Sequence, residues 1–555
     1  MLHSHEDWPP DMRNEPYRCC VDHGAGSAEP EQLPCSPMPS THPRAAALLI
    51  VLVVLVSGCA ATPSATPLPT PTPSPSPTPE PTPTPSPTPE PVVEFPLAVV
   101  TGYTNLVAEI TLEELQATPN VIPPCGLPLS DFEDFAALAE CVPADEIVAS
   151  LQLNPQAIAL LPPGLVEPAT KVLPVGGADL FGGPQARERA YPLLGHAVGM
   201  PEEWTSYDNR TIRTLISLGD SCPDRGVAHQ AITLGKGWDY VFGGGRARYL
   251  RVYPNPVPEG FVGNGYLIVD AVPAGDPGAV ARLVSGADVT LDDFECPVVN
   301  NFTVNEGVVF SIDPAVLPQL RDAYGVDVVT LAANHLFDRG TPGFLETLDH
   351  FATQGIARTG AGVDLDDALT PAVVDVTGVR FAFVGFNEVP GSLEAGPGQP
   401  GVAWLRPEHV QAAVARAREV GDVVICSPQW WGGYEYHGDF TPSMLQQQDT
   451  FYAAGCDHVL GHGTHWSGPL DFVPADDGGV HFTIGSHGNF LFGQSWSQQT
   501  QEGVIVELAF RGTRLVQARM HPYIMLEQAV ASLTNPETDG AYVLERIFAN
   551  SDETY

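Results

Sequence analysis

Lysine is almost missing from this chain: Lys171 and Lys236 are the only two in 555 residues. The other cationic side chains are arginines and histidines, and 25 Lys and Arg against 66 Asp and Glu leave a formal net charge of −41. So negative a surface repels nucleic acid and offers anionic lipid no polybasic patch. It repels a polyanionic substrate too, unless a metal ion or a local arginine cluster intervenes. The 10 cysteines contain no Cys-x-x-Cys or zinc-finger spacing. The apolar run Ala45–Val56 has only 12 residues, too few to cross about 30 Å of hydrocarbon as a helix. What is present describes a globular protein, with 43% hydrophobic and 16% charged residues. The length suits two folded domains plus unstructured segments.

The apolar run follows Arg44 and ends in Val56-Ser57-Gly58-Cys59, which fits the h-region of a signal peptide. The ending resembles a bacterial lipobox, in which small residues precede an acylated cysteine, so Cys59 is the expected lipidation site. An ordinary signal peptide or short anchor with an incidental cysteine is the alternative. Residues 1–37 are unusually long and polar for a leader, and Met38 would give an n-region of ordinary length. The expected organisation is therefore a mis-called leader (1–37), a lipoprotein signal peptide (38–58) and a Pro/Thr/Ser-rich disordered stalk (59–95). Alternating prolines in the stalk block helix and sheet and favour polyproline II. Some 30 such residues reach on the order of 90 Å at about 3.1 Å each. The expected location is the extracytoplasmic face of a bacterial cell membrane, lipid-anchored at Cys59.

Six cysteines remain beyond Cys59, an even number suited to an oxidising compartment. Cys125 with Cys141 is a plausible local bridge. Cys222 and Cys296 each follow a candidate metal ligand, so a bridge between them would tie two site loops together. Free buried thiols are an equal alternative for Cys426 and Cys456. Residues 96–208 read as a smaller α+β accessory domain of undefined role. There Thr111-Leu112-Glu113-Glu114 opens a helix with a capping box, and the following AIALLP and TKVLPVGG segments resemble a lobe of phosphate-type substrate-binding proteins. Residues 211–555 alternate apolar strands with helices, the α/β pattern. Thr341-Pro342 to Gly355 and Thr441-Pro442 to Gly455 each carry the N-cap, first-turn proline and C-terminal glycine of a helix.

Polar residues of metal-ligand type recur at the ends of these strands. TLISLGD ends in Asp220, ADVTLDDFE in Asp292, Asp293 and Glu295, and DVVTLAANH in Asn334 and His335. DVVICSPQWW ends in Gln429 and Trp430, DHVLGHGTH in His462 and His465, and HFTIGSHGN in His487 and Asn489. Strand ends of an α/β sheet converge on one edge, where ligands bind. Asp, Asn and His gathered there suit Mn, Zn or Fe, one or two ions, which polarise phosphoryl oxygens and ionise water.

These segments resemble the CapA family of capsule or poly-γ-glutamate synthesis proteins (PGA_cap), related to calcineurin-like metallophosphatases. The resemblance rests on Gly219-Asp220 with Arg225-Gly226-Val227, Glu295-Cys296-Pro297, and Ala333-Asn334-His335 with Asp338. It continues through Gly432–Tyr436, Gly461-His462 with His465, and Gly488-Asn489-Phe490 with Gln494. It implies a metallophosphatase-type α/β/β/α sandwich over 211–555. By transfer, Asp220, Glu295, Asn334, His462 and His465 are metal ligands. His335 with Asp338 is the pair that protonates a leaving oxygen, and Arg225 or Arg339 balances substrate charge. Trp430, Tyr436 and Asn489 are candidate substrate contacts, although the aromatics are as readily ordinary core and rim. Gln429 or Trp430 stands where the family has a histidine, and Asp293 replaces an asparagine, so one ligand is in doubt. Two functions follow. One is a metal-dependent hydrolase or transferase acting on a phosphoester or on an amide of an envelope polymer. The other is a non-catalytic polymer-binding or scaffold lipoprotein with a degenerate metal site. The expected partners are envelope polymer or phosphoester substrate, and the membrane through the lipid anchor.

Overall fold

The computed structural model describes residues 92–254, 267–304, 307–433 and 435–551. The leader, the signal segment, Cys59 and the proline tract through residue 91 lie outside the described residues. One correction falls at the end of the stalk. Val92–Pro96 forms a strand antiparallel to Leu194–Val198, so residues 92–95 belong to the folded part. The every-second-residue prolines stop at Pro91, and Val92, Val93 and Phe95 restore β propensity.

Two mixed sheets form the centre. The first runs 357–359, 328–330, 289–294, 212–222, 502–511, 514–526, 530–533, with 489–492 also alongside 212–222. Pairing is parallel on the 357–359 side and to 489–492, and antiparallel from 502–511 onward. The second runs 372–376, 379–387, 423–429, 458–460, 480–484, 470–474, with a parallel middle and antiparallel edges.

Successive strand residues face opposite sides, and this alternation builds the layers. Leu215, Leu291, Val504 and Val506 of the first sheet meet Phe381, Phe383, Val423 and Ile425 of the second in a shared core. Ile216 and Ile505 face the other way and pack with helices Val316–Asp322 and Gly340–Gln354. Ala382, Val384 and Val424 likewise pack with helices Pro407–Val420 and Pro442–Ala454. The protein is α/β, layered helix, sheet, sheet, helix.

Helix Pro442–Ala454 keeps the expected grammar: Thr441 Oγ1 accepts from Met444 N, and Gly455 ends it at φ 105°. Helix Gly340–Gln354 begins one residue before Thr341, so Thr341 is not its N-cap. Arg339 takes that place and donates instead to Ser311 Oγ.

In the N-terminal part, strands Ala98–Gly102, Ile158–Leu161 and Thr170–Leu173 form a small sheet. The Thr111 capping box is complete, with Glu114 N donating to Thr111 and Glu114 accepting from Thr111 N. Its hydrophobic core runs on into the first large sheet through Ile212, Ala509 and Val516. All described residues belong to one compact unit. Three disulfides join Cys125 to Cys141, Cys222 to Cys296 and Cys426 to Cys456. The last closes the alternative of free thiols there.

His458, buried between strands, accepts a hydrogen bond from Phe482 N at its Nδ1. Burial pushes its pKa down to about 4. An unfolded chain takes up that proton first as pH falls, so the stability is complete above about pH 6.5 and is lost on the way to pH 4. His458→Gln should flatten urea-derived stability between those pH values by roughly 3 kcal/mol. An unchanged slope would contradict it.

Candidate metal centre

Strand 212–222 carries Asp220 beside strand 289–294, whose register places Asp293 directly opposite. The next parallel neighbour, 489–492, sets Asn489 against Asp220 on its other side. From the second sheet, the loop after strand 458–460 brings His462 and His465 over these ends. Gly463 makes that approach feasible: its φ of 93° suits glycine, and its N–H donates to Asp220 Oδ1 at 3.2 Å.

The result is two groups of donors that share one carboxylate. Asp220, Asp293 and His462 bring donor atoms within 4.8 Å of one another, and so do Asp220, Glu295 and His465. Asp293 Oδ2 lies 2.8 Å from His462 Nδ1, yet neither atom makes a hydrogen bond. Two ligands of one ion, each about 2.1 Å from it and at right angles, stand about 3 Å apart. Both oxygens of Asp293 and Glu295, and Asp292 Oδ2, are likewise buried without hydrogen-bond partners, while Asp220 Oδ2 faces His465 Nδ1 at 3.1 Å. Unpaired buried charge on this scale is strongly unfavourable unless a cation neutralises it. The donor set of carboxylates and imidazoles suits a divalent transition metal.

Electrostatics separate the acids. Burial pushes Asp293 and Glu295 well above the usual carboxylate range, and the charge of Asp220 pushes them further. Burial acts on Asp220 in the same sense, but His465, His462 and the Gly463 N–H outweigh it and hold that carboxyl low. Burial holds His462 neutral, with a pKa down at about 4. Its Nε2 lies 2.9 Å from Ser427 Oγ, which leaves the Nδ1 lone pair for coordination. His465 is opposed by burial but raised to about 9 by Asp220, Glu295 and Glu435.

The remaining expected residues divide. His335 Nδ1 lies 3.0 Å from Asp338 Oδ2, which also accepts from Phe310 N at 2.7 Å. Arg225 sits over the same Phe310 ring at 4.4 Å, and His335 meets that ring edge-on. The structure thus brings His335, Asp338 and Arg225 together. Asn334 is turned to Gln429: its N–H donates to Gln429 Oε1 at 2.8 Å, and its Oδ1 accepts from Gln429 Nε2 at 3.2 Å. Gln429 therefore holds Asn334 through both its backbone N–H and its side-chain oxygen.

Two expected substrate contacts need correction. Trp430 is wholly buried and donates its indole N–H to Gly485 O, so it is core with no surface to offer. Asn489 is also wholly buried. Its Oδ1 faces His465 Nδ1 at 2.8 Å and its Nδ2 donates to Thr500 O and Gln494 Oε1, which makes it a residue that orients His465. Tyr436 does lie at the centre, stacked on the His465 ring.

Two residues read from the sequence as ligand-type at strand ends were left out of the expected ligand set. Asp293 belongs to the first donor group, and its place at a strand end beside Asp292 was the available signal. His487 donates from Nδ1 to Gly461 O, its Nε2 is buried without a hydrogen-bond partner, and burial pushes its pKa down to about 4. A neutral imidazole with an unused lone pair is a ligand-type group.

The Cys222–Cys296 bridge joins the two strand ends just past Asp220 and Glu295. Closing a loop of this length stabilises by roughly 4 kcal/mol in the chain-entropy account. The Cys222→Ser/Cys296→Ser double variant should bind metal about 10–100-fold more weakly, the range for lost supporting contacts. Calorimetric titration with Mn that finds equal affinity would show that the bridge does not hold the ligands.

Fold and site together define an α/β protein with a buried carboxylate–imidazole centre between strand ends. The family profile described as bacterial capsule synthesis protein PGA_cap matches residues 214–494, half of the chain. The chain belongs to that family. It is 30% identical over 233 residues to the PGA biosynthesis protein CapA of Bacillus subtilis, covering 41% of this chain and 59% of that one. It is 26% identical over 243 residues to the capsule biosynthesis protein CapA of Bacillus anthracis, covering 42% and 57%. The chain thus spans less than two thirds of these relatives. Among solved structures, a 5'-nucleotidase precursor from Thermus thermophilus is similar at 16% identity and a TM-score of 0.32, covering 61% of this chain and 58% of that one.

Proposed function

We propose that this chain is an envelope CapA-type protein that acts in capsule or poly-γ-glutamate synthesis through a metal-dependent hydrolase or transferase site, its substrate a phosphoester or an amide of the polymer. The observation that carries the reading is the pair of buried donor groups sharing Asp220, with their unpartnered oxygens. Asp220, Asp293, Glu295, His462 and His465 would hold one or two ions of Mn, Zn or Fe, within a metallophosphatase-type sandwich. Such ions polarise a phosphoryl or carbonyl oxygen and supply a nucleophilic water. The chain's own contribution is the His335–Asp338 pair, in which Asp338 orients the ring so that its other nitrogen can protonate a leaving oxygen. Arg225, held on Phe310, supplies positive charge beside it.

The Gln429–Asn334 pairing favours a second reading, a polymer-binding scaffold with a reduced metal site. Metal analysis of the full chain beside the His462→Ala/His465→Ala double variant separates the two. About one or two equivalents, lost in the variant, with turnover of phosphoesters or γ-glutamyl amides, supports catalysis. Polymer retention without metal or turnover supports the scaffold.

The anchoring at Cys59 is proposed from the sequence motif, as is the extracytoplasmic location. Radiolabelled palmitate incorporation that persists in Cys59→Ser would exclude that site.

A further inference from the structure

Beside the donor cluster two carboxamides fix each other's orientation. Asn334 lies just past strand 328–330, whose Thr330 pairs with Asp293. Gln429 ends strand 423–429 and bridges to His462. Its side chain is buried beneath the turn that carries His462 and His465, where a Cβ on Gly463 would stand 2.5 Å from Gln429 Cγ. Both backbone groups of Asn334 are engaged: its N–H donates to Gln429 Oε1 at 2.8 Å, and its carbonyl accepts from Ser392 Oγ at 3.0 Å. A backbone N–H can only donate, so the end of Gln429 that faces it is the oxygen, and the other end is the NH2 group. That NH2 donates to Asn334 Oδ1 at 3.2 Å, which turns Asn334 Nδ2 the other way. Nδ2 makes no hydrogen bond among the described residues and keeps contact with solvent.

We propose that Asn334 is a substrate contact and not a metal ligand: its Nδ2 donates to a phosphoryl oxygen held at the metal centre, and Gln429 is the positioning residue that aims it. The inference rests on the metal-site reading above and gives that site a further contact. A carboxamide ligates a cation through its oxygen, not through its NH2, and the oxygen of Asn334 is taken by Gln429. What remains is an N–H donor beside His335, whose ring is oriented by Asp338. Donor and proton-delivering ring thus come from adjacent residues of one turn. Donors fixed in place before the ligand arrives suit the anionic oxygens of a phosphoryl group.

The test uses the full chain loaded with Mn, metal analysis after dialysis, and isothermal titration with methylphosphonate, a phosphoryl anion with no ester bond to hydrolyse. Asn334→Ala should keep the metal content of the parent and bind methylphosphonate roughly 10–100-fold more weakly, the range of a hydrogen bond to a charged group. Gln429→Glu should match that loss. Glutamate retains an oxygen for the Asn334 N–H but offers no NH2, so Asn334 turns its own NH2 inward. In the Asn334→Ala/Gln429→Glu double variant the second change should add nothing. A further loss there would show that the glutamate acts by its charge, and overturns the positioning role. Loss of metal in Asn334→Ala, or unchanged methylphosphonate affinity, overturns the substrate contact and leaves the metal site standing. No methylphosphonate binding by the metal-loaded parent overturns the phosphoester reading and this contact with it. A parent that takes up no metal overturns the metal-site reading itself.

Discussion

Asp220→Asn should empty the metal centre. The substitution keeps the shape of the side chain but removes the one carboxylate common to both donor groups. His462→Gln and Glu295→Gln each strike a single group, so in a two-ion site each should leave about half of the bound metal. Asp220→Asn should leave none, with affinity reduced by more than about 100-fold, beyond the effect of losing a merely supporting contact. Metal analysis after dialysis reads the stoichiometry directly. Stability gives an independent measure: at a free metal concentration 1,000 times Kd, binding adds about 4 kcal/mol to the folded state. EDTA should therefore lower the urea midpoint of the parent protein and leave that of Asp220→Asn unmoved. Full retention of metal by Asp220→Asn would refute the shared-ligand arrangement.

A comparably large effect is expected far from the centre, at Arg519. Its guanidinium is mostly buried, donating to Asp179 Oδ2 at 2.6 Å and Val172 O at 3.1 Å, and lying 3.5 Å from Glu507 Oε2. Glu507 also lies 2.8 Å from His521 Nε2. Burial would raise the Glu507 carboxyl, but His521 and Arg519 outweigh it and keep it low. Arg519→Met strands the buried Asp179 of the N-terminal part and leaves Glu507 to His521 alone, and should cost roughly 3–5 kcal/mol. Replacing the whole group as Asp179→Asn/Glu507→Gln/Arg519→Met should recover much of that loss, because the penalty comes from uncompensated charge and not from lost attraction. Urea unfolding at pH 7 checks both. A loss below about 1 kcal/mol in the single variant would mean that the cluster behaves like an exposed ion pair.

The sequence carried much of this and concealed the rest for identifiable reasons. Strand-end polar residues were readable because apolar runs stop abruptly at Asp220, Glu295 and His462. Their convergence in space depends on which strands are neighbours, and the family resemblance supplied that. Asp293 was passed over because its role depends on the register that sets it opposite Asp220, a fact of pairing between segments about 70 residues apart. Trp430 was expected as a substrate contact. It instead turns inward just past the end of strand 423–429, buried with its indole N–H on Gly485 O. The Thr441 cap was legible because it is purely local. The expected Thr341 cap failed because Arg339, held by Ser311, moved the helix start.

The pairing in the first sheet also bears on how the chain reaches this state. Strand 212–222 lies mid-sheet, and its antiparallel neighbour runs from Ile212 opposite Arg511 to Ser217 opposite Val506. Its backbone therefore stays open on that side until the segment 502–511 has been made. Contacts so distant in sequence close slowly, and an unpaired apolar edge invites association with other chains. Assembly of the sheet is thus a late event, and the segment 502–511 acts as its closing seam.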